Sequence, residues 1–350
     1  MNILFDLNHP AHVHLFRNAI KALKAKGHNI TVVARKKEVT EQLLNLYDID
    51  FIVLSKIRSG LLGLAFELIT RQIRLIPIII KNKIDLCISM TGASSIHILK
   101  LFCIPTLVFN DSENNDLQNA ITVPFAHKIF TPDCYWRDYG SKHHKYAGYH
   151  ELAYLHPNRF TPDPTIFDKI KTMQGDKFFV LRFVAWKASH DIKEHGFSLA
   201  EKVKLVEYLK QYGDIYITSE KTIEKELEQY QLKLSPDKLH DLLYYATIVI
   251  ADSQTVTTES ALLGTPAIRY NSRVGPKDEG NFVELEKRYD LIYCFNNFDK
   301  AFEKVKELLK NDTLKIDWQK KREVLLEDKI DVTDFMVDAI LNFKKKDPAK

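Results

Sequence analysis

Two short stretches gather residue types that can do chemistry. "NHPAHVHLF" sets His9, His12 and His14 directly after the apolar run "NILFDL". An imidazole titrates near neutral pH, which suits it to take a proton from a hydroxyl. The second stretch, "ADSQTVTTESALLGTPAI" from Ala251 to Ile268, places Ser253, Gln254 and Thr255 behind the β-branched run "TIVI". Val256, Ala261, Leu262 and Leu263 then recur at helical spacing, and Gly264 with Pro266 ends the helix. A helix amino end offers N–H groups and a partial positive charge to an anion. The same residues also read as an ordinary N-cap by Asp252 or Ser253 followed by surface threonines.

Other candidates lie at the ends of apolar runs. "DSEN" follows "PTLVFN", so Asp111, Glu113 and Asn114 lie where a strand ends, with carboxylates that can bind hydroxyls or accept a proton. Arg182 closes "FFVLRF", where a guanidinium can stabilise negative charge and Lys187 can assist. A strand-end Arg in a surface salt bridge accounts for Arg182 equally well. "KASHD", with His190 and Asp191, is a weaker candidate. Asp111 and Glu113 form a D-x-E, but no D-x-D lies in a convincing loop, so neither an obligatory divalent ion nor any other cofactor is expected. Cys87, Cys103, Cys134 and Cys294 lack C-x-x-C spacing. A structural zinc is therefore not expected, and the apolar contexts of Cys87 and Cys103 predict reduced core thiols.

The elements that must position these residues alternate between strand and helix. "NILFDL" is a strand, Leu15, Phe16, Ala19, Ile20 and Leu23 share one helical face, and "NITVVAR" is the next strand. The alternation continues through "DLCISM", "SSIHILKLF", "PTLVFN", "LQNAITVPFA" and "HKIFTP", which predicts a parallel sheet covered on both faces. A proline-bearing stretch over 151–175 reads as an interdomain connection, and a second α/β pattern runs over 176–330. The expected fold is α/β: two doubly wound Rossmann-type domains, 1–150 and 176–330, facing a central cleft, with a C-terminal helix and basic tail over 331–350.

Composition narrows the function classes. With 350 residues, 45% apolar, the chain can fill two cores, and a net charge of +4 gives no basic stripe for nucleic acid. No secretory signal opens the chain and no apolar run is long enough to span a bilayer, so a cytoplasmic protein is expected. "LLGLAFELITRQIRLIPIIIKNK" mixes apolar residues with Arg71, Arg74, Lys81 and Lys83, and the tail ends "FKKKDPAK". These segments fit peripheral contact with anionic lipid at the inner face of a membrane, and equally a core helix and a frayed tail.

Asp252 to Gly264, with Glu259 ahead of "GTP", resembles the nucleotide-sugar motif of the GT-B superfamily, in particular its hydrolysing UDP-N-acetylglucosamine 2-epimerases and the N-acetylglucosaminyltransferase that makes lipid II. More closely, "FDLNHPAHVHLFRNAIKAL", "VFNDSENNDLQNAITVPFA", "YAGYHELAYLHP" and "RFVAWKASHD" resemble a domain-of-unknown-function family of predicted glycosyltransferases. The resemblance implies a GT-B-like fold in which Glu259 binds ribose hydroxyls, Ser253, Gln254 and Thr255 face the diphosphate, and uridine is the base. It also implies that His12 is the base, with His9, His14 and Asn114 on the acceptor side. Gln254 and Thr255 stand where relatives often carry glycines, so side-chain donors would replace part of the backbone contact with phosphate. The implied activity is metal-independent transfer from a nucleoside diphosphate sugar to a glycan or lipid-linked acceptor in cell-surface polysaccharide or glycoconjugate synthesis. Two alternatives stand beside it. A hydrolysing 2-epimerase would carry an acidic residue where this chain has Met90, Thr91 and Gly92, and a nucleotide-sugar-binding protein would do no chemistry.

Overall fold

The computed structural model describes residues 1–36, 38–56, 60–184, 195–219 and 223–343. Two compact units emerge, Met1–Arg159 with Lys329–Lys350, and Phe160–Asp328.

The first unit is built from β1 (Asn2–Leu7), α1 (Pro10–Ala25), β2 (Asn29–Lys36), α2 (Glu38–Leu46), β3 (Ile52–Lys56), α3 (Leu61–Asn82), β4 (Leu86–Met90), α4 (Ile96–Leu101), β5 (Thr106–Phe109), α5 (Asp116–Thr122), β6 (Lys128–Pro132), β7 (His143–Tyr146) and α6 (Leu152–Leu155). Its seven strands are ordered β3-β2-β1-β4-β5-β6-β7, every neighbouring pair parallel. Strands covered on both faces read as continuous apolar runs, and Ile3, Leu4 and Phe5 of β1 are fully buried. The predicted α1 face, Leu15, Phe16, Ala19, Ile20 and Leu23, is buried as a set.

The second unit comprises β8 (Phe178–Arg182), α7 (Leu199–Leu209), β9 (Asp214–Thr218), α8 (Leu239–Tyr245), β10 (Ile248–Ala251), α9 (Gln254–Leu262), β11 (Ala267–Tyr270), α10 (Gly280–Lys287), β12 (Ile292–Phe295), α11 (Phe298–Leu308) and α12 (Leu314–Asp328). Its sheet is parallel, with order β12-β11-β10-β8-β9. In both sheets the strand order reverses once, between β1 and β4 and between β8 and β10. Ligands of open α/β sheets bind outside the carboxyl ends of the strands at that reversal.

The last helix, α13 (Val332–Leu341), belongs to the first unit. Asp331 caps it by accepting from the Thr333 and Asp334 N–H groups, and Arg159 Nε donates to Asp331 at 2.7 Å. Within 151–175, α6 lies in the first unit and a 3₁₀ turn, Pro164–Asp168, in the second. The thiol expectation holds for Cys87, which is buried, and fails for Cys103, which is exposed. Cys103 follows the α4 C-cap with φ 55°, and that left-handed turn carries it out of the core. Among the described residues, no helix is long and apolar enough to cross a membrane.

Candidate functional site

The first unit's reversal point is occupied by the residues after β1 and β4. His9 is the N-cap of α1, its Nδ1 accepting from the Ala11 N–H, and His12 lies in the first helical turn with its ring 6.1 Å from that of His9. His14, two residues further round the helix, points about 200° away. It packs against Tyr47, whose hydroxyl is 3.5 Å from its Nδ1, and against the Tyr154 ring at 5.2 Å. The fold therefore groups His9 with His12 and places His14 elsewhere.

His12 is 8% exposed. Burial pulls its pKa down to about 4 against the opposing pull of the Asp6 and Asp111 charges, and His150 lowers it further. The ring is neutral at physiological pH. Its Nδ1 accepts from the Asn8 N–H at 3.2 Å, which leaves the proton on Nε2. As a base, His12 would have to give up that backbone hydrogen bond.

Asp111 follows β5 and meets a residue that the sequence reading did not single out. His150, after β7, is buried and holds Nδ1 3.0 Å from Asp111 Oδ2. The contact has ion-pair distance but not hydrogen-bond alignment, and among the described residues neither His150 ring nitrogen has a hydrogen-bond partner. Burial works to raise the Asp111 carboxyl, but the His150 charge and the hydrogen bonds around it outweigh that effect and hold the carboxyl below its usual value. His12, Asp111 and His150 thus lie close enough for their titrations to influence one another. The only sequence signal for His150 was its place in the quoted "YAGYHELAYLHP".

Glu113 and Asn114 stand apart from this cluster. Glu113 is buried, its Oε1 accepting from the Trp136 N–H at 3.3 Å, while Asn114 is exposed. Asp6, fully buried in β1, pairs with Arg71 Nη2 at 2.8 Å and accepts from Ser94 Oγ. At the end of β4, Thr91 has φ 64°. A β-branched residue there is an outlier that costs on the order of 1–3 kcal/mol and must be held by its surroundings. Gly92 follows at φ 69°, where a Cβ would come within 2.9 Å of Ser89 Oγ.

In the second unit, Arg182 ends β8 and is the register partner of Ala251, the last residue of β10. Asp252 ties the two strand ends together, its Oδ1 accepting from the Val184 N–H at 2.7 Å and its N–H donating to the Arg182 carbonyl at 3.3 Å. Ser253 is the N-cap of α9 but makes no side-chain capping bond. Ser253, Gln254 and Thr255 are each partly exposed at the reversal point, beside Arg182. The expectation of ordinary surface threonines fails further along. Thr257 and Thr258 are buried and donate back to the Ser253 and Gln254 carbonyls, because α9 is covered all round.

Glu259 is also buried, its Oε1 3.0 Å from Nε2 of His240 on α8. His240 in turn meets the Phe160 ring edge-on at 6.2 Å. His240 escaped the sequence reading because a lone His in "KLHDLLYY" carries no motif. Lys187, His190 and Asp191 lie outside the described residues.

Two parallel sheets, each with a reversal point and each covered by helices, define a GT-B-type α/β protein. Residues 1–345 match the model of the family described as "Protein of unknown function (DUF354)", and the chain belongs to that family. A comparison with curated proteins finds no match. Among solved structures, the chain is similar to S. aureus MnaA with UDP, at a TM-score of 0.71 and 14% identity over 100% of this chain and 99% of that one. It is similar to the UDP-GlcNAc 2-epimerase of Neisseria meningitidis bound to UDP-GlcNAc, at 0.67 and 12% over 98% and 100%. It is also similar to the Streptomyces sp. SF2575 glycosyltransferase SsfS6 with thymidine diphosphate, at 0.62 and 12% over 96% and 99%. At these identities the likeness establishes the fold.

Proposed function

We propose that the protein is an inverting, metal-independent glycosyltransferase that takes a nucleoside diphosphate sugar, preferentially a UDP-sugar, on its second unit and acts on a glycan or lipid-linked acceptor through its first. Peripheral contact with a membrane and a role in cell-surface polysaccharide or glycoconjugate synthesis belong to the same reading. The observation that carries it is the register of Arg182, the last residue of β8, with Ala251, two residues before the Ser253–Gln254–Thr255 turn whose N-cap makes no side-chain bond. A cation beside a helix amino end is what a leaving diphosphate requires. Glu259, oriented by His240, would accept from the ribose hydroxyls.

In the proposed reaction, an acceptor hydroxyl forms a bond to the anomeric carbon while the bond from that carbon to the diphosphate oxygen breaks, and the diphosphate departs with the bonding electrons. The hydroxyl proton passes to the Asp111–His150 pair, with the Asp111 carboxylate as its acceptor and His150 holding that carboxylate in place. His12 stays neutral, so it adds no charge beside that pair. This reading shifts the base from His12 to the Asp111–His150 pair, because the Nδ1 lone pair of His12 is already engaged.

A thermal-shift screen against UDP, GDP, CDP, dTDP and their sugars, with and without Mg²⁺, tests the donor site. A ligand at 100 times its dissociation constant adds about 2.7 kcal/mol, a shift of several degrees. Stabilisation by a nucleoside diphosphate sugar without Mg²⁺ is expected, and no shift with any nucleotide would overturn the donor assignment. Binding without turnover against any acceptor would favour a non-catalytic nucleotide-sugar-binding protein instead.

A further inference from the structure

Helix α3 is apolar on two opposite faces. Its inner face is pinned by Leu75 and Ile79 in the core and by the buried Arg71–Asp6 pair. Its outer face carries Leu62, Phe66, Ile69, Ile73 and Ile80, which are 88, 53, 58, 61 and 61% exposed. At 100° per residue these five fall within about 60° of arc, and at 1.5 Å per residue they form a stripe about 27 Å long. A soluble helix normally presents polar residues there. Leu101 and Phe102, at the end of α4, which packs against α3, are also exposed, at 79 and 39%.

Charge decides what covers this face. Residues 51–110 hold seven Lys and Arg against two carboxylates, Glu67 and Asp85. Glu67 is buried, with Arg35 at 2.7 and 2.6 Å and Ser55 at 2.7 Å, and Asp85 accepts from the Asn2 N–H at 2.8 Å. The outer face of α3 therefore carries no carboxylate, while exposed Arg74 and Lys81 flank one side of the stripe. Between β3 and α3, a cavity of about 250 Å³ is lined by Val53, Ser55, Lys56, Glu67, Thr70 and Arg74. Lys56 and Arg74 give it cations, and Ser55 and Thr70 add hydroxyls.

We infer that the outer face of α3 docks on an anionic phospholipid bilayer, with the apolar stripe entering the acyl boundary and Lys56, Arg74 and Lys81 meeting headgroup phosphates. An interfacial helix needs this pairing of an apolar stripe with flanking cations. The inference deepens the membrane contact included in the proposed function and rests on that reading for its purpose. Its test is read from lipid partition alone, so it stands or fails separately from nucleotide binding and turnover.

The test is sedimentation of the full chain with vesicles of phosphatidylcholine alone and of phosphatidylcholine with 30% phosphatidylglycerol. The wild type is expected to partition at least about tenfold more strongly onto the anionic vesicles, with the preference falling as salt rises. Ile69→Asp/Ile73→Asp, at exposed positions, is expected to lose about tenfold or more of that partition with an unchanged melting temperature. If the double variant melts early, Lys56→Glu/Lys81→Glu decides the matter, because it leaves the apolar stripe and the core intact and should still reduce anionic partition severalfold. Equal partition onto both vesicle types, or variants that bind like the wild type, would overturn the inference. So would a wild-type dimer that Ile69→Asp/Ile73→Asp converts to monomer without any lipid binding, since the face would then belong to a second copy.

Discussion

His150 Nδ1 lies 3.0 Å from Asp111 Oδ2, joining the residue after β7 to the residue after β5 across the strand between them. In the proposed reaction these groups work as a unit. His150→Ala and Asp111→Asn should each lower kcat by roughly 10² to 10⁴ while changing donor affinity little. The double variant should lose little more than either single one. His12→Gln should cost less than either. Steady-state kinetics with the donor found by the thermal screen measures all four, and a larger loss at His12 than at His150 would return the base to His12.

The buried imidazole of His12 also sets a pH dependence. Its folded pKa of about 4 lies below the ordinary 6.5, so the unfolded chain binds more protons between those values. Its contribution to stability is complete above about pH 6.5 and is lost as pH falls through about 4, at up to about 1.4 kcal/mol per pH unit. His28, His143 and His144 are lowered as well, so the His12 part is the difference between wild type and His12→Gln. Urea denaturation of both proteins from pH 4 to 7 should show a shallower slope for the variant. Parallel slopes would mean that the ring is not neutral in the folded protein.

Glu259 and His240 make the second buried contact with a functional reading. Glu259→Gln removes the charge and keeps the shape, so nucleotide-sugar affinity should fall about tenfold to a hundredfold, the range of a lost charged hydrogen bond. Calorimetric titration reads this directly. Unchanged affinity would assign the carboxylate to holding α8 against α9.

The Asp6–Arg71 pair bridges β1 to α3 with both side chains buried. Arg71→Met strands the Asp6 carboxylate and should destabilise the protein by about 3–5 kcal/mol, whereas Asp6→Leu/Arg71→Met together should recover much of that loss. Chemical denaturation of the single and double variants checks the sign of the recovery.

Periodicity made most of the fold legible. The α1 face and the apolar runs of β1, β4, β5, β8 and β10 follow from spacing alone, and the likeness to solved structures bears out the two-sheet architecture. The histidines were harder. A count of closely spaced rings does not reveal that one is an N-cap, one lines the reversal point and one is turned into the core, because that depends on where the helix begins. His150 and His240 were unreadable for a different reason. Each acquires its carboxylate from 39 and 19 residues away in the chain, through strand order and helix packing that no local pattern encodes. Cys103 shows the limit of composition, since one left-handed residue reverses the outcome of an apolar context.

The return of α13 to the first unit has a consequence for how the chain is made. Ile330 N–H donates to the Ala147 carbonyl at 2.8 Å, Thr333 Oγ1 donates to the Ala153 carbonyl at 2.7 Å, and Lys329 Nζ meets Asp133 at 2.8 Å. The unit that is translated first therefore lacks a wall until the ribosome has delivered its closing helix. The second unit, drawn from one continuous stretch, has all its parts sooner. During synthesis, the older half of the chain waits for the younger half to finish, with the apolar seats of Val332, Met336 and Ile340 open meanwhile. A nascent chain stalled just short of residue 329 should be the form that chaperones hold longest.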